Sequence, residues 1–261
     1  MRLTMAALLT ASSLALMHAS AQAQYGGGPI KIGVLNDVSS LNSIAGRGSL
    51  WAAKKAVADF GADNAPSAAY CNAFNDACRT LESLGARVVD LQLSPLIDYL
   101  DANRLIMLAE AYALHETDFR ERPQLFGHHM FARIGLGAFL TAADYVEAVR
   151  LRRELAVEFA RALATVDVAV SANATGPAPR IDAVSTYSTF ERASYTGPYN
   201  LTGSPALSVP IGFENGLPLA FQIAGKPFDE AGVMRVGHAF EQATEFHRQR
   251  PAIAASLPSQ G

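Results

Sequence analysis

Apolar residues in this chain form short continuous runs that alternate with stripes of helical spacing. The runs predict buried strands, at 30–37 (IKIGVLND), 86–93 (ARVVDLQL) and 166–172 (VDVAVSA). Apolar positions three and four residues apart predict helices, at 50–60, 71–84, 105–115, 141–163 and from 229 onward. Alternation of helices and strands is typical of an α/β fold with a mainly parallel or mixed sheet.

The clearest local pattern predicts a hairpin. Two apolar runs, 206–213 and 217–224, are joined by Glu214, Asn215 and Gly216. Asn-Gly accepts the positive φ angles that a tight hairpin turn requires. Pro210 and Pro218 cannot donate a ladder hydrogen bond, so we expect them to face outward or to lie at a bulge or a strand start.

Capping residues mark the start of two predicted helices and the end of a third. Thr141 and Asp144 have the spacing of a capping box, and Asp229 is placed to cap the last helix. Gly85 follows the helix predicted at 71–84 and is expected to end it.

The first 23 residues predict a secretory signal peptide. Arg2 precedes a short apolar run at 5–17, and small residues offer an A-x-A cut at Ala19/Ala21 or Ala21/Ala23. The run is shorter than the ~20 residues that span a bilayer, and no later stretch reaches that length without charge. We therefore expect an exported, periplasmic product without a membrane span.

Composition and cysteine spacing narrow the function classes. Half of the 261 residues are apolar and the formal net charge is −3, which indicates a globular protein and gives no support for nucleic-acid binding. Cys71 and Cys78 share a predicted helix, which places their Cα atoms about 10 Å apart. A disulfide needs less than about 7 Å, so both are expected to stay reduced and to pack as small apolar residues.

The chain shows no convincing metal site. His128 and His129 are adjacent, which favours a polar loop over a ligand pair, and we predict no metal or other cofactor. His238, Glu241 and Glu245 share one helix, where a solvent-exposed face is favoured. Three aspartates are better explained by turns and caps than by acid–base chemistry: Asp167, Asp182 and Asp229.

Two parts of the sequence resemble different families. The first part, "IKIGVLNDVSS…GRGSLWAAKKAVADFG", is similar to the opening of periplasmic binding proteins for branched-chain amino acids. In that family, hydroxyl side chains after the first strand help hold the ligand, and the resemblance would give this role to Ser39, Ser40 and Ser43.

The second part resembles the C-terminal portion of the amidase-signature hydrolases. It covers about residues 67–253 and includes "LESLGARVVDLQL", "VDVAVSANATGPAPRID" and "NLTGSPALSVPIGFENGLPLAFQIAGKPFDE". The resemblance implies part of a mixed sheet flanked by helices, preceded by a short β-α unit. The predicted division is 1–23 signal peptide, 24–61 binding-protein-like segment, 62–67 junction, 68–253 amidase-like region and 254–261 tail.

That resemblance also implies a chemistry whose reacting groups are missing here. The family uses a Ser nucleophile, a bridging Ser and a Lys base, all in its N-terminal half. The Ser pairs at 12–13 and 39–40 are not followed by Gly, and no Gly-x-Ser-x-Gly elbow occurs. We therefore predict no catalytic residue, although the chain keeps lysines at Lys31, Lys54, Lys55 and Lys226.

The loop "SANATGP" is the predicted substrate-binding element. In relatives the corresponding loop lines the acyl pocket, so the resemblance points to Ser171, Asn173 and Thr175. The structural alternative is that these side chains close turns through local hydrogen bonds.

Three interpretations stay open at this point. The chain is an amidase-like hydrolase without its catalytic half, a solute-binding component of a transporter, or a non-functional fused or truncated product. For the first, the expected partners are a small amide substrate or the missing amidase N-terminal half.

Overall fold

The computed structural model describes residues 30–35, 66–187 and 195–250. The strands are β1 (Lys31–Leu35), β2 (Arg87–Leu91), β3 (Val168–Ala172), β4 (Ala206–Glu214) and β5 (Leu217–Ala224). The helices are α1 (Ala68–Ser83), α2 (Leu96–Glu121), α3 (His128–Ile134), α4 (Ala142–Leu163), α5 (Gly197–Thr202) and α6 (Glu230–Gln242). Short 3-10 helices occupy Pro123–Leu125, Gly135–Phe139, Ile181–Ala183 and Phe246–Arg248.

The strands form one mixed sheet in the order β2-β1-β3-β5-β4. β1 runs parallel to β2 and β3, whereas β5 is antiparallel to β3 and β4. Alternate residues of β3 face opposite sides, as period-2 geometry requires. Val168 and Val170 pack with α1 and α6, and Ala169 packs with α2, α4 and α5. The predicted α/β fold, a mixed sheet flanked by helices, is confirmed.

β1 lies inside the sheet, although it belongs to the binding-protein-like part of the sequence. It pairs with β2 from Lys31 to Leu35 and with β3 from Ile32 to Val34. The Lys31 amide donates to the Asp167 carboxylate at 2.6 Å. A Cβ on Gly33 would lie 2.3 Å from a methyl carbon of Leu91, so only glycine fits there without displacing that side chain. The division at 62–67 stays a prediction.

Turn and cap patterns predicted from the sequence are confirmed. Asn215 and Gly216 adopt φ angles of 52° and 78° in the β4–β5 turn. Thr141 and Asp144 form a complete capping box, whose hydrogen bonds lower the pKa of Asp144. Asp229 accepts from the amide of Gly232 at 3.0 Å. The register of β4 shifts between Pro210 and Gly212, so this proline borders a bulge.

Two predictions of secondary structure were wrong, one of them only in part. The helix predicted at 105–115 extends over Leu96–Glu121. The apolar pattern underestimated its length, because the helix packs on several elements and its apolar residues do not form one stripe. His128 and His129 do not lie in a loop; they open α3 after Gly127. Both imidazoles are exposed and their ring centroids are 5.8 Å apart.

Cys71 and Cys78 both lie in α1 and are free thiols, as predicted. Burial raises the pKa of the Cys78 thiol to about 12, with a smaller contribution from Glu82 and Asp90. This thiol therefore stays protonated near neutral pH, which suits a packing role rather than a nucleophilic one.

Glu158 of α4 holds the chain between β2 and α2. Its carboxylate accepts the Ser94 amide at 2.8 Å, the Ser94 hydroxyl at 3.1 Å and the Tyr99 hydroxyl at 2.9 Å. The ring of Tyr99 is fully buried and packs edge-on against Phe159. One carboxylate thus joins α4, α2 and the connection between β2 and α2.

Several sequence predictions fall outside the described residues. These are the signal peptide at 1–23, the helix at 50–60 and the serines Ser39, Ser40 and Ser43. Within the described ranges, no helix is long and apolar enough to cross a bilayer.

Candidate functional site

The predicted substrate-binding residues lie where β3 ends. Ser171 is within the strand and is 4% exposed, whereas Asn173 and Thr175 are partly exposed in the loop that follows. This end of β3 sits centrally, between β1 and β5. The carboxyl end of an inner strand is where α/β folds commonly bind ligands.

A buried polar cluster of Ser171, Tyr199 and Gln222 lies below the loop. Gln222 is directly opposite Ser171 in the antiparallel pair of β3 and β5. Its side-chain amide donates to the carbonyls of Ala172 at 2.9 Å and Tyr195 at 3.2 Å. The Ser171 hydroxyl bonds the hydroxyl of Tyr199, whose pKa is raised by burial. Ser171 is therefore engaged with protein atoms, and its contact with a substrate stays a prediction.

Tyr70 of α1 fixes the start of the loop. Its hydroxyl donates to the carbonyl of Ala220 and accepts from the amide of Asn173 at 2.8 Å. Burial raises the pKa of Tyr70, so the phenol stays neutral and can keep both bonds. The backbone of Asn173 is thereby anchored while its side chain is partly open to solvent.

Ser67 fixes the other end of the loop. Its amide donates to the carbonyl of Thr175 at 2.9 Å, and its hydroxyl donates to Glu214 at 2.8 Å. The same hydroxyl accepts the amide of Tyr70 as the N-cap of α1. The loop from Asn173 to Thr175 is consequently bound at both ends by the first turn of one helix.

Sequence reasoning missed the residues that support this loop. Gln222 had a usable signal, because it is a polar residue within an otherwise apolar strand. Tyr70 and Ser67 had none, since their partners lie about one hundred or more residues away and depend on how α1 packs.

The polar side chains of this loop can recognise an amide group. An Asn amide and a Thr hydroxyl each offer a donor and an acceptor, as does the amide group of a substrate. Among the described residues, lysines occur only at Lys31 and Lys226. Lys31 opens β1, and Lys226 follows β5, whose Ala224 faces Ala169 near the start of β3. Both lie at the opposite end of the sheet from Asn173, so neither reaches the loop as a base.

In the part of the chain that the structure describes, no three His, Cys, Asp or Glu side chains form a group that could hold a metal ion.

Comparisons with known proteins agree with this architecture. The A subunit of the glutamyl-tRNA(Gln) amidotransferase from Carboxydothermus hydrogenoformans is 34% identical over 210 residues, covering 69% of this chain and 43% of that protein. Its counterpart from Methanosarcina barkeri is 36% identical over 165 residues, covering 59% of this chain and 34% of its own length. The chain thus spans less than half the length of these relatives.

Solved structures share the fold. A crystal structure of an amidase superposes with a TM-score of 0.66 at 23% identity, covering 84% of this chain and 46% of that one. The corresponding amidotransferase protein from Thermotoga maritima gives 0.54 at 25% identity, covering 82% and 42%. The family model for amidases matches residues 49–234, and its match begins before the junction predicted at 62–67. This chain belongs to the amidase family.

Proposed function

We propose that this chain supplies the substrate-binding part of an amide-hydrolysing site, and that the nucleophile and base come from polypeptide outside this sequence. Asn173 and Thr175 would bind the carboxamide of a small substrate, and Ser171 would support the loop that carries them. The observation that carries the proposal is the loop itself. It is anchored by Tyr70 and Ser67, yet its polar side chains stay partly open to solvent.

Two further observations support a site whose binding residues and catalytic residues come from different polypeptides. Both described lysines lie at the far end of the sheet, and the chain spans 43% of its Carboxydothermus relative. Amide hydrolysis needs an activated nucleophile as well as a binding pocket. A polypeptide like the N-terminal half of the relatives would supply that chemistry.

A reconstitution experiment tests this proposal. We expect no release of ammonia from glutamine, or of nitroaniline from p-nitroacetanilide, with the purified chain alone. Release is expected after addition of the separately produced N-terminal half of the Carboxydothermus relative. In the mixture, Asn173→Ala and Thr175→Val should each raise KM about 10-fold, the value of one substrate hydrogen bond.

Gln124→Ala is the matched control, because this exposed residue lies in a 3-10 helix away from the loop. It should leave KM unchanged. Turnover by the chain alone would contradict the proposal that the nucleophile and base come from another polypeptide. An unchanged KM in both loop variants would show that the loop does not bind the substrate.

We also propose that this function is exercised in the periplasm, on the strength of the leader-like composition of residues 1–23. Expression in a Gram-negative host should give a periplasmic protein that begins at Gln22 or Gln24, read by N-terminal sequencing. A protein that is found in the cytoplasmic fraction and still begins at Met1 would contradict export.

A further inference from the structure

A cavity of about 240 Å³ lies at the amino ends of the three parallel strands. Ile30, Ala86 and Asp167, which line it, are the residues directly before β1, β2 and β3. Its other walls come from the end of α1 and from α6, which pack on the same face of the sheet. Asn173 follows the carboxyl end of β3, so the cavity and the candidate loop lie at opposite ends of the sheet.

The inner wall of the cavity is apolar. Ile32, Leu81 and Val236 line it and are 1%, 2% and 7% exposed. A dry apolar cavity of roughly 150 Å³ is large enough to bind benzene. The cavity between α1 and α6 therefore has room for one aromatic ring or a short alkyl chain.

Asp167 brings a carboxylate to this apolar space. The residue is partly buried, and its carboxylate accepts the Lys31 amide at 2.6 Å. An ionised carboxylate can accept about four hydrogen bonds. Among the described residues, that of Asp167 makes no other hydrogen bond and no ion pair. It keeps acceptor capacity and an uncompensated negative charge at the wall of the cavity.

The other charged residue of the lining is Arg235 of α6. Arg235 is exposed to solvent, where salt and water screen its charge, whereas Asp167 is partly buried. The field inside the cavity is consequently set more by the carboxylate than by the guanidinium.

We infer that this cavity binds a small primary amine with an apolar body. The ring or alkyl chain of the amine occupies the space between Ile32, Leu81 and Val236, and its ammonium group donates to the carboxylate of Asp167. A hydrogen bond between two charged groups is stronger than a neutral one, and a charge beside apolar surface is stabilised by an opposite charge. The inference goes beyond the proposed function and does not rest on it, because it involves neither the loop at Asn173 nor a reacting group.

Titration calorimetry of the full chain at pH 7 tests the site with benzylamine as the probe. We expect a Kd of about 1 mM or lower, as a well-placed ligand of this size can reach. Benzyl alcohol has the same shape without the charge and should bind at least ~10-fold more weakly. Phenylacetate, which carries the opposite charge, should bind more weakly still.

Two variants locate the amine. Asp167→Asn keeps an acceptor for the Lys31 amide but removes the charge, so it should weaken benzylamine binding at least ~10-fold. Ala239→Leu places a larger side chain in the lining and should abolish binding. Asp182→Asn and Ala160→Leu are the matched controls, because both residues are exposed and lie outside the cavity. Neither control should change the Kd.

The possible results separate the parts of the inference. Benzylamine binding that both cavity variants weaken and both controls leave unchanged upholds the amine site. Equal binding of benzyl alcohol or phenylacetate overturns the role of the carboxylate, and this comparison uses the wild type, so it does not depend on whether a variant folds. No binding of benzylamine at about 10 mM, or binding that neither cavity variant alters, overturns the site itself.

Discussion

Replacing Glu158 with alanine is expected to lower the free energy of unfolding by about 3 kcal/mol. The carboxylate accepts three hydrogen bonds, from the amide and hydroxyl of Ser94 and from the hydroxyl of Tyr99. Bonds to a charged acceptor contribute roughly 1.5–3 kcal/mol each, and some of this is regained where water reaches the partly exposed Ser94. Urea unfolding followed by circular dichroism measures the change.

Two variants of α4 control this measurement. Glu154→Ala removes an exposed carboxylate from the same helix and should stay within about 0.5 kcal/mol of wild type. Glu158→Gln keeps one acceptor for Ser94 and should lose about half as much as the alanine variant. A Glu158→Ala protein as stable as Glu154→Ala would show that the carboxylate does not join these elements.

Replacing Gln222 with leucine is expected to cost about 2–4 kcal/mol and to loosen the loop after β3. The carbonyls of Ala172 and Tyr195 would each lose the bond from the Gln222 amide in a partly buried setting, although the Ala172 carbonyl keeps the Ser171 hydroxyl at 3.1 Å. Leaving a buried polar group unsatisfied costs roughly 1–3 kcal/mol. Because Ala172 precedes Asn173, hydrogen exchange at the Asn173 amide should accelerate well beyond the change at core amides.

Gln242→Leu makes the same substitution at an exposed position near the end of α6 and should alter neither stability nor exchange. If the Gln222→Leu protein is destabilised but hydrogen exchange at the Asn173 amide is unchanged, Gln222 stabilises the fold without supporting the loop. The support of the loop would then belong to Tyr70 and Ser67 alone.

Local patterns predicted much of this fold. The hairpin at 206–224 and the capping box of Thr141 depend on residues close in sequence, and both match the structure within a residue. α2 was underestimated because a helix that packs against several elements carries no single apolar stripe. Its buried residues run from Tyr99 to Phe119.

For the candidate site, the sequence indicated the loop but not the residues that support it. Ser171, Asn173 and Thr175 were indicated by the resemblance of their loop to the one that lines the acyl pocket in amidase-signature hydrolases. The supporting layer depends on register and packing, since Gln222 meets Ser171 only because β5 pairs with β3 in one alignment. Nor does the sequence indicate that the Ser171 hydroxyl is occupied by Tyr199.

The position of β1 has a consequence for biogenesis. Of the described strands it is the first to be synthesised, yet one of its neighbours is β3, and the bond from Lys31 to Asp167 joins residues 136 apart. Contacts of such sequence separation form slowly. The ribosome must therefore deliver the polypeptide as far as β3 before this strand can be paired on both sides.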